Sequence, residues 1–119
     1  MEAIGRETEL LFQLLRATSL RAQVIAGNVA NQNTPGYTRR TVHFEEKLRE
    51  ALLAGRGGEL GVEPEIALDK ATPARPDGNN VTLEVELNAM RENRLLYEAY
   101  TTILGGHYEL LRSSIKDGN

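Results

Sequence analysis

The stretch GNVANQNTPGYTRR, residues 27–40, decides how the rest of the chain is read. Behind a long run of helix-forming residues it sets three asparagines, a Thr-Pro-Gly turn, a tyrosine and two arginines. Pro35 and Gly36 occupy the central positions of Thr34-Pro35-Gly36-Tyr37, an order that favours a type II turn. Asn28, Asn31 and Asn33 carry short amide side chains that bond nearby backbone and compete with helix continuation. Tyr37 brings an apolar ring with a polar tip, suited to packing back on a helix or into a neighbour. The stretch predicts a helix end and a change of direction, after which Val42 and Phe44 alternate as an extended segment beyond Arg39-Arg40.

Upstream, Leu11, Leu15, Thr18, Ala22, Ile25 and Val29 recur at steps of four and three, a seam at the heptad period. They predict an N-terminal helix over residues 1–31 that frays near Val29–Asn31, where Gly27-Asn28 weakens it. Downstream, Leu83, Leu87, Met90, Arg94, Tyr97, Thr101, Leu104, Tyr108, Leu111 and Ile115 keep the same alternation and predict a C-terminal helix over residues 81–116. Asp77-Gly78-Asn79-Asn80-Val81 leads into it. Asn80 reads as its N-cap, Glu84 and Glu86 suit its positive end, and Lys116 suits the other. Gly105-Gly106 in its interior predicts a kink or a close approach by another backbone. A helix from Leu83 to Ile115 is about 50 Å long at 1.5 Å per residue, longer than a compact domain of this size is wide. The expected fold is mainly α: an elongated pair of long N- and C-terminal helices packed side by side in coiled-coil fashion.

The intervening residues, 32–80, read as turn, extended and loop region within a single domain, 1–119. AGRGGELGVEPEIALDKATPARPDG, residues 54–78, is rich in glycine and holds Pro64, Pro73 and Pro76. Leu60, Val62, Ile66 and Leu68 alternate at period two around Pro64, the mark of a short strand pair, a β-hairpin or an edge strand. The Gly and Pro content argues against a third long helix.

Composition excludes several functions. A net charge of −3 is too small to point to nucleic acid or an anionic membrane surface. Without cysteine there is no disulfide, thiol nucleophile or thiolate metal site. No apolar run approaches the length of a membrane span, and MEAIGRETEL lacks the apolar core of a cleaved secretory signal. The low aromatic content, 5% with no Trp, predicts a marginally stable isolated subunit. His43 and His107 have no partner at metal-ligand spacing. His43 reads as a solvated strand residue, and His107 as an interface or surface residue. Ser19, Ser113 and Ser114 lie in helical stretches with no nucleophile elbow. Asp77-Gly78-Asn79-Asn80 lacks the later glycine and terminal glutamate of a calcium loop, and Asn80-Val81-Thr82 fits a glycosylation sequon at a helix start. No catalytic, cofactor or metal residue is expected.

Asn28-Val29-Ala30-Asn31 followed by Asn33-Thr34-Pro35-Gly36-Tyr37 resembles the N-terminal signature shared by axial proteins of the bacterial flagellar rod, hook and hook-filament junction. Val42 to Leu48, VHFEEKL, and Asp77 to Ile115 resemble the FlgB family of proximal-rod proteins, over roughly residues 10–48 and 75–115. Thr38-Arg39-Arg40 departs from that pattern and leans toward the hook-filament junction proteins. The resemblance implies a non-enzymatic subunit of the basal-body rod in the periplasm, exported by the flagellar type III apparatus without a cleaved signal peptide. It implies assembly with copies of itself, with other rod proteins and with the basal-body adaptor FliE, to transmit torque and enclose the export channel. Another rod or hook-type subunit, or a generic coiled-coil adaptor, is the alternative; the adaptor would need neither Thr34 to Tyr37 nor Asp77 to Val81.

Overall fold

The computed structural model describes residues 2–55 and 62–117. Five elements follow in order: α1 (Glu2–Ala30), β1 (Arg40–His43), α2 (Glu45–Leu53), β2 (Glu65–Leu68) and α3 (Leu83–Asp117). The molecule measures 68 × 28 × 14 Å, an extended shape set by its two long helices. At 1.5 Å per residue α3 alone is about 52 Å long. The helices run antiparallel, because Asn28 meets Glu86, Arg21 meets Asn93 and Glu7 meets His107.

The middle differs from the expected turn and loop. Phe44 does not prolong the extended run. It ends the run, and EEKLREALL, made of good helix formers with acids in its first turn, continues as α2. The Phe44 ring is buried with Ala17 and Leu48, and Leu10, Leu14 and Val62 pack around them. The apolar core therefore sits on one flank of α1. The strand pair forms, but not locally. β2 pairs antiparallel with β1, Val42 opposite Ile66 and Arg40 opposite Leu68, and α2 lies in the connection. Of the alternating residues, Leu60 lies outside the described residues, and Val62 joins the core rather than the sheet.

On α1, Leu11, Thr18 and Ile25 are buried, and Leu15, Ala22 and Val29 are half-buried. On α3 the stripe facing α1 is not the one that apolar periodicity selects. The contact line is Glu86, Asn93, Tyr100 and His107, with half-buried Met90, Leu104 and Leu111 beside it. Leu83, Leu87, Tyr97, Tyr108 and Ile115 are exposed. At 100° per residue the helix is turned by roughly 70° from the expected seam. The physical reason is polar: the side chains that bond α1 lie on the contact line, and their partners on α1 lie opposite them. Gly105 and Gly106 are fully helical, and a Cβ on either would meet nothing within 4 Å. Among the described residues, no other backbone approaches them.

Candidate functional site

The turn residues and the start of α3 form one polar joint. α1 ends at Ala30, where the Asn31 amide bonds the Gly27 carbonyl at 3.1 Å and the Asn31 side chain bonds the same oxygen at 2.8 Å. The chain then reverses through Thr34-Pro35-Gly36-Tyr37, closed by the Tyr37 amide on the Thr34 carbonyl at 3.3 Å. Gly36 takes φ +74°, a left-handed conformation that glycine adopts without a Cβ clash.

A second turn packs on the first. Gly78 has φ +85°, and the Asn79 amide bonds Asp77 Oδ1 at 3.0 Å. The Gly36 amide bonds the Asp77 carbonyl at 2.8 Å. A Cβ on Gly78 would stand 3.2 Å from Gly36 Cα, so the two glycines let the backbones touch. Asn79, buried, donates to the carbonyls of Asn31 and Thr34, both at 2.8 Å, and accepts from the Val81 amide at 2.7 Å. It ties together the turn that follows α1. Asn80 is not the N-cap of α3. Its Oδ1 accepts from the Arg39 amide at 2.6 Å, and its Nδ2 donates to the Asp69 carbonyl at 2.7 Å. Both functions of the amide are engaged in joining loops, and the first helical bond of α3 goes to the Thr82 carbonyl instead.

Asn28 does the same from within α1. Rather than bonding its own neighbourhood, it treats Arg40 as a strand neighbour would. Its Oδ1 accepts from the Arg40 amide at 2.9 Å, and its Nδ2 donates to the Arg40 carbonyl at 2.8 Å. The Tyr37 hydroxyl donates to the same Oδ1 at 3.1 Å, and Asn28 Nδ2 also donates to Glu86 at 3.1 Å. The side chain is fully buried and saturated. Asn33 is exposed, and the Arg40 guanidinium lies 5.9 Å from the Tyr37 ring centroid, within cation–π range.

Arg39 is the charged centre of the joint. It bonds Glu86 at 2.7 Å and Asp69 at 2.8 Å. Glu86, buried on α3, joins that helix to the turn, and Asp69 extends the connection to the end of β2. Burial opposes the Arg39 charge, but its two carboxylate partners outweigh it and raise its pKa. The Thr72 hydroxyl, followed by Arg39, holds the Asp69 carboxyl well below its usual 3.8. Removing one partner of such a buried pair costs more than the pair contributes, because the other charge is left without compensation. Sequence reading missed Arg39, Asp69 and Glu86 as a group. The sequence carried no signal for the group, because Glu86 lies off the apolar seam and reads as a surface residue.

No protein-family model matches the chain. Among proteins of known name, it is 30% identical to "Flagellar basal body rod protein FlgB" of Borrelia hermsii, across 98% of this chain and all of that protein. The protein of the same name from Salmonella typhimurium is 30% identical across 87% of this chain and 90% of its own length. That of Yersinia enterocolitica is 29% identical across 86% and 90%.

Gly78→Ala is expected to lower stability by about 1–3 kcal/mol, from the strained φ together with the contact on Gly36. Chemical denaturation checks this, and a loss no larger than that of Ala74→Gly would contradict the close approach. Acid should also weaken the joint. A carboxyl with a folded pKa below its unfolded one contributes stability in full above about pH 4, which is lost progressively as pH falls further. Melting temperatures measured between pH 2 and 6 should fall more steeply in the parent than in Asp69→Asn, which starts lower at neutral pH; parallel curves would contradict this.

Proposed function

Because the chain belongs to the FlgB family of flagellar basal body rod proteins, we propose that its polar joint holds α1 and α3 in a fixed pair whose uncovered flank builds the rod. The family places it as a structural subunit of the flagellar basal-body rod. The finer reading is a periplasmic subunit of the proximal rod. It is exported by the flagellar type III apparatus with its N-terminus intact, and assembles with copies of itself, other rod proteins and the adaptor FliE. In that position it transmits torque and lines the export channel, with no catalytic role.

One observation carries the reading. Leu87 and Tyr108 on α3, and Leu15, Ala22 and Val29 on α1, each follow a contact-line residue by one position. In an antiparallel pair those positions fall on the same flank. Leu10 and Ala17 fall on the opposite flank, where Phe44 and Leu48 cover them. Leu83, Leu87, Tyr97, Tyr108 and Ile115 thus stand exposed, by 43–69%, along a flank that no other element of the described residues covers. An apolar stripe running the length of a helix is the kind of surface that an oligomer buries. A subunit that meets neighbours through unlike surfaces forms open helical arrays, and burial in the array adds to the stability of each subunit. The signature residues Asn28, Ala30, Asn31, Asn33, Thr34, Pro35, Gly36 and Tyr37 serve assembly through the joint, by fixing the direction in which α3 leaves the turn.

Leu87→Glu/Tyr108→Glu, expressed in place of the native copy, tests the flank. Both residues are exposed, so stability of the isolated chain should change by no more than about 0.5 kcal/mol per site. Swimming should be lost, and basal bodies viewed by electron microscopy should lack a complete rod. Normal swimming by cells carrying the variant would contradict the proposal.

A further inference from the structure

The α1–α3 contact carries polar side chains at a strict interval. On α3 they are Glu86, Asn93, Tyr100 and His107, each seven residues after the last. Opposite them on α1 stand Asn28, Arg21, Leu14 and Glu7, each seven residues before the last. Two of the four levels are hydrogen-bonded across the helices, and a third brings an imidazole up to a carboxylate. Asn28 donates to Glu86 at 3.1 Å, Arg21 donates to Asn93 Oδ1 at 3.3 Å, and His107 Nε2 lies 3.4 Å from Glu7. Asn93 Nδ2 donates in addition to the Thr18 carbonyl of α1 at 2.8 Å. Asn93 and Glu86 are buried, so these groups have given up water for partners on the facing helix.

Immediately beside this ladder runs the far more apolar stripe of Leu83, Leu87, Tyr97, Tyr108 and Ile115. Apolar burial alone would turn α3 by roughly 70° and pack that stripe on α1, since hydrophobic association scales with the area removed from water and has no direction. The observed contact takes in half-buried Met90, Leu104 and Leu111, but the residues at its centre are polar. Hydrogen bonds do have direction, and the Asn28–Glu86 and Arg21–Asn93 bonds close only when the contact line faces α1. In paired helices, a polar residue at a core position selects one arrangement among several that apolar packing would allow.

We propose that this polar ladder chooses which face of α3 meets α1, and so keeps the apolar stripe from being consumed within the subunit. The joint fixes one end of α3. The levels at Arg21–Asn93 and Glu7–His107 extend that choice along the rest of the helix, where no loop of the described residues holds it.

The chain contains no cysteine, so single engineered thiols report cleanly on the two faces. Tyr97→Cys places a thiol on the stripe and Tyr100→Cys places one on the contact line. In the otherwise unchanged full chain, a maleimide should label position 97 about tenfold faster than position 100, because exchange at a packed position requires local opening. In the Asn93→Leu/His107→Leu background the order should invert, with position 100 the faster. Adding Leu87→Gln and Tyr108→Gln to that background, which weakens the competing stripe, should restore the original order. An unchanged order in the ladder variant would overturn the proposal, since the face would then be chosen without the ladder. Equal, fast labelling at both positions would overturn it as well, because the ladder would then hold the helices together rather than select between faces.

Discussion

The structure depends on the buried contact of Asn28 with the backbone of Arg40, and on the Arg39–Glu86 pair beside it. Asn28 belongs to α1, Arg39 and Arg40 to the segment leaving the turn, and Glu86 to α3. Three pieces of chain distant in sequence meet at side chains that satisfy one another almost completely. Apolar packing between the long helices has no preferred direction, and the joint supplies that direction. Buried polar groups are stabilising only when every member has its partner. That condition explains the density of asparagines: Asn28, Asn79 and Asn80 each bridge backbone that the two turns leave unpaired.

The two glycines at the centre follow from the same constraint. The turn after α1 and the turn before α3 must come within touching distance for Asn79 to reach the Asn31 and Thr34 carbonyls and for Asn80 to reach the Arg39 amide. Any side chain at Gly78 would hold them apart. Local turn chemistry and tertiary contact are thus one requirement. The joint fixes the exit direction of α3, which sets which flank of the helix pair remains open.

Much of this is legible in the sequence. The heptad spacing of Leu11, Leu15, Ala22 and Ile25 and that of Leu83 to Ile115 specify two long helices, and Thr34-Pro35-Gly36-Tyr37 specifies where the chain turns between them. The alternation at Ile66 and Leu68 specifies a strand without naming its partner, because β1 lies beyond a helix. α2 is hidden by its neighbours: a short helix beside a Gly-rich stretch has too few turns to show a period, although Leu48 and Ala51 do face the core. The orientation of α3 escapes for a more general reason. Periodicity reports where apolar residues cluster, not which cluster is buried. When a helix carries two faces that could pack, the more apolar one need not be the one buried within the subunit. Glu86 and Asn93 pass for surface residues because their compensation lies on another element. Asn28 likewise reads as a local helix breaker until Arg40 is placed beside it.

Native-state hydrogen exchange at two amides tests the central role of the joint most directly. The Arg39 amide is bonded by the Asn80 side chain and the Arg40 amide by the Asn28 side chain, and neither bond belongs to a helix. If the joint is the constraint on which the helix pair depends, both amides should exchange only with global unfolding. Their opening free energy should match that of the slowest amides of α1 and α3 and show the same denaturant dependence. Exchange of the Arg39 and Arg40 amides through a local opening that leaves α1 and α3 protected would contradict the account.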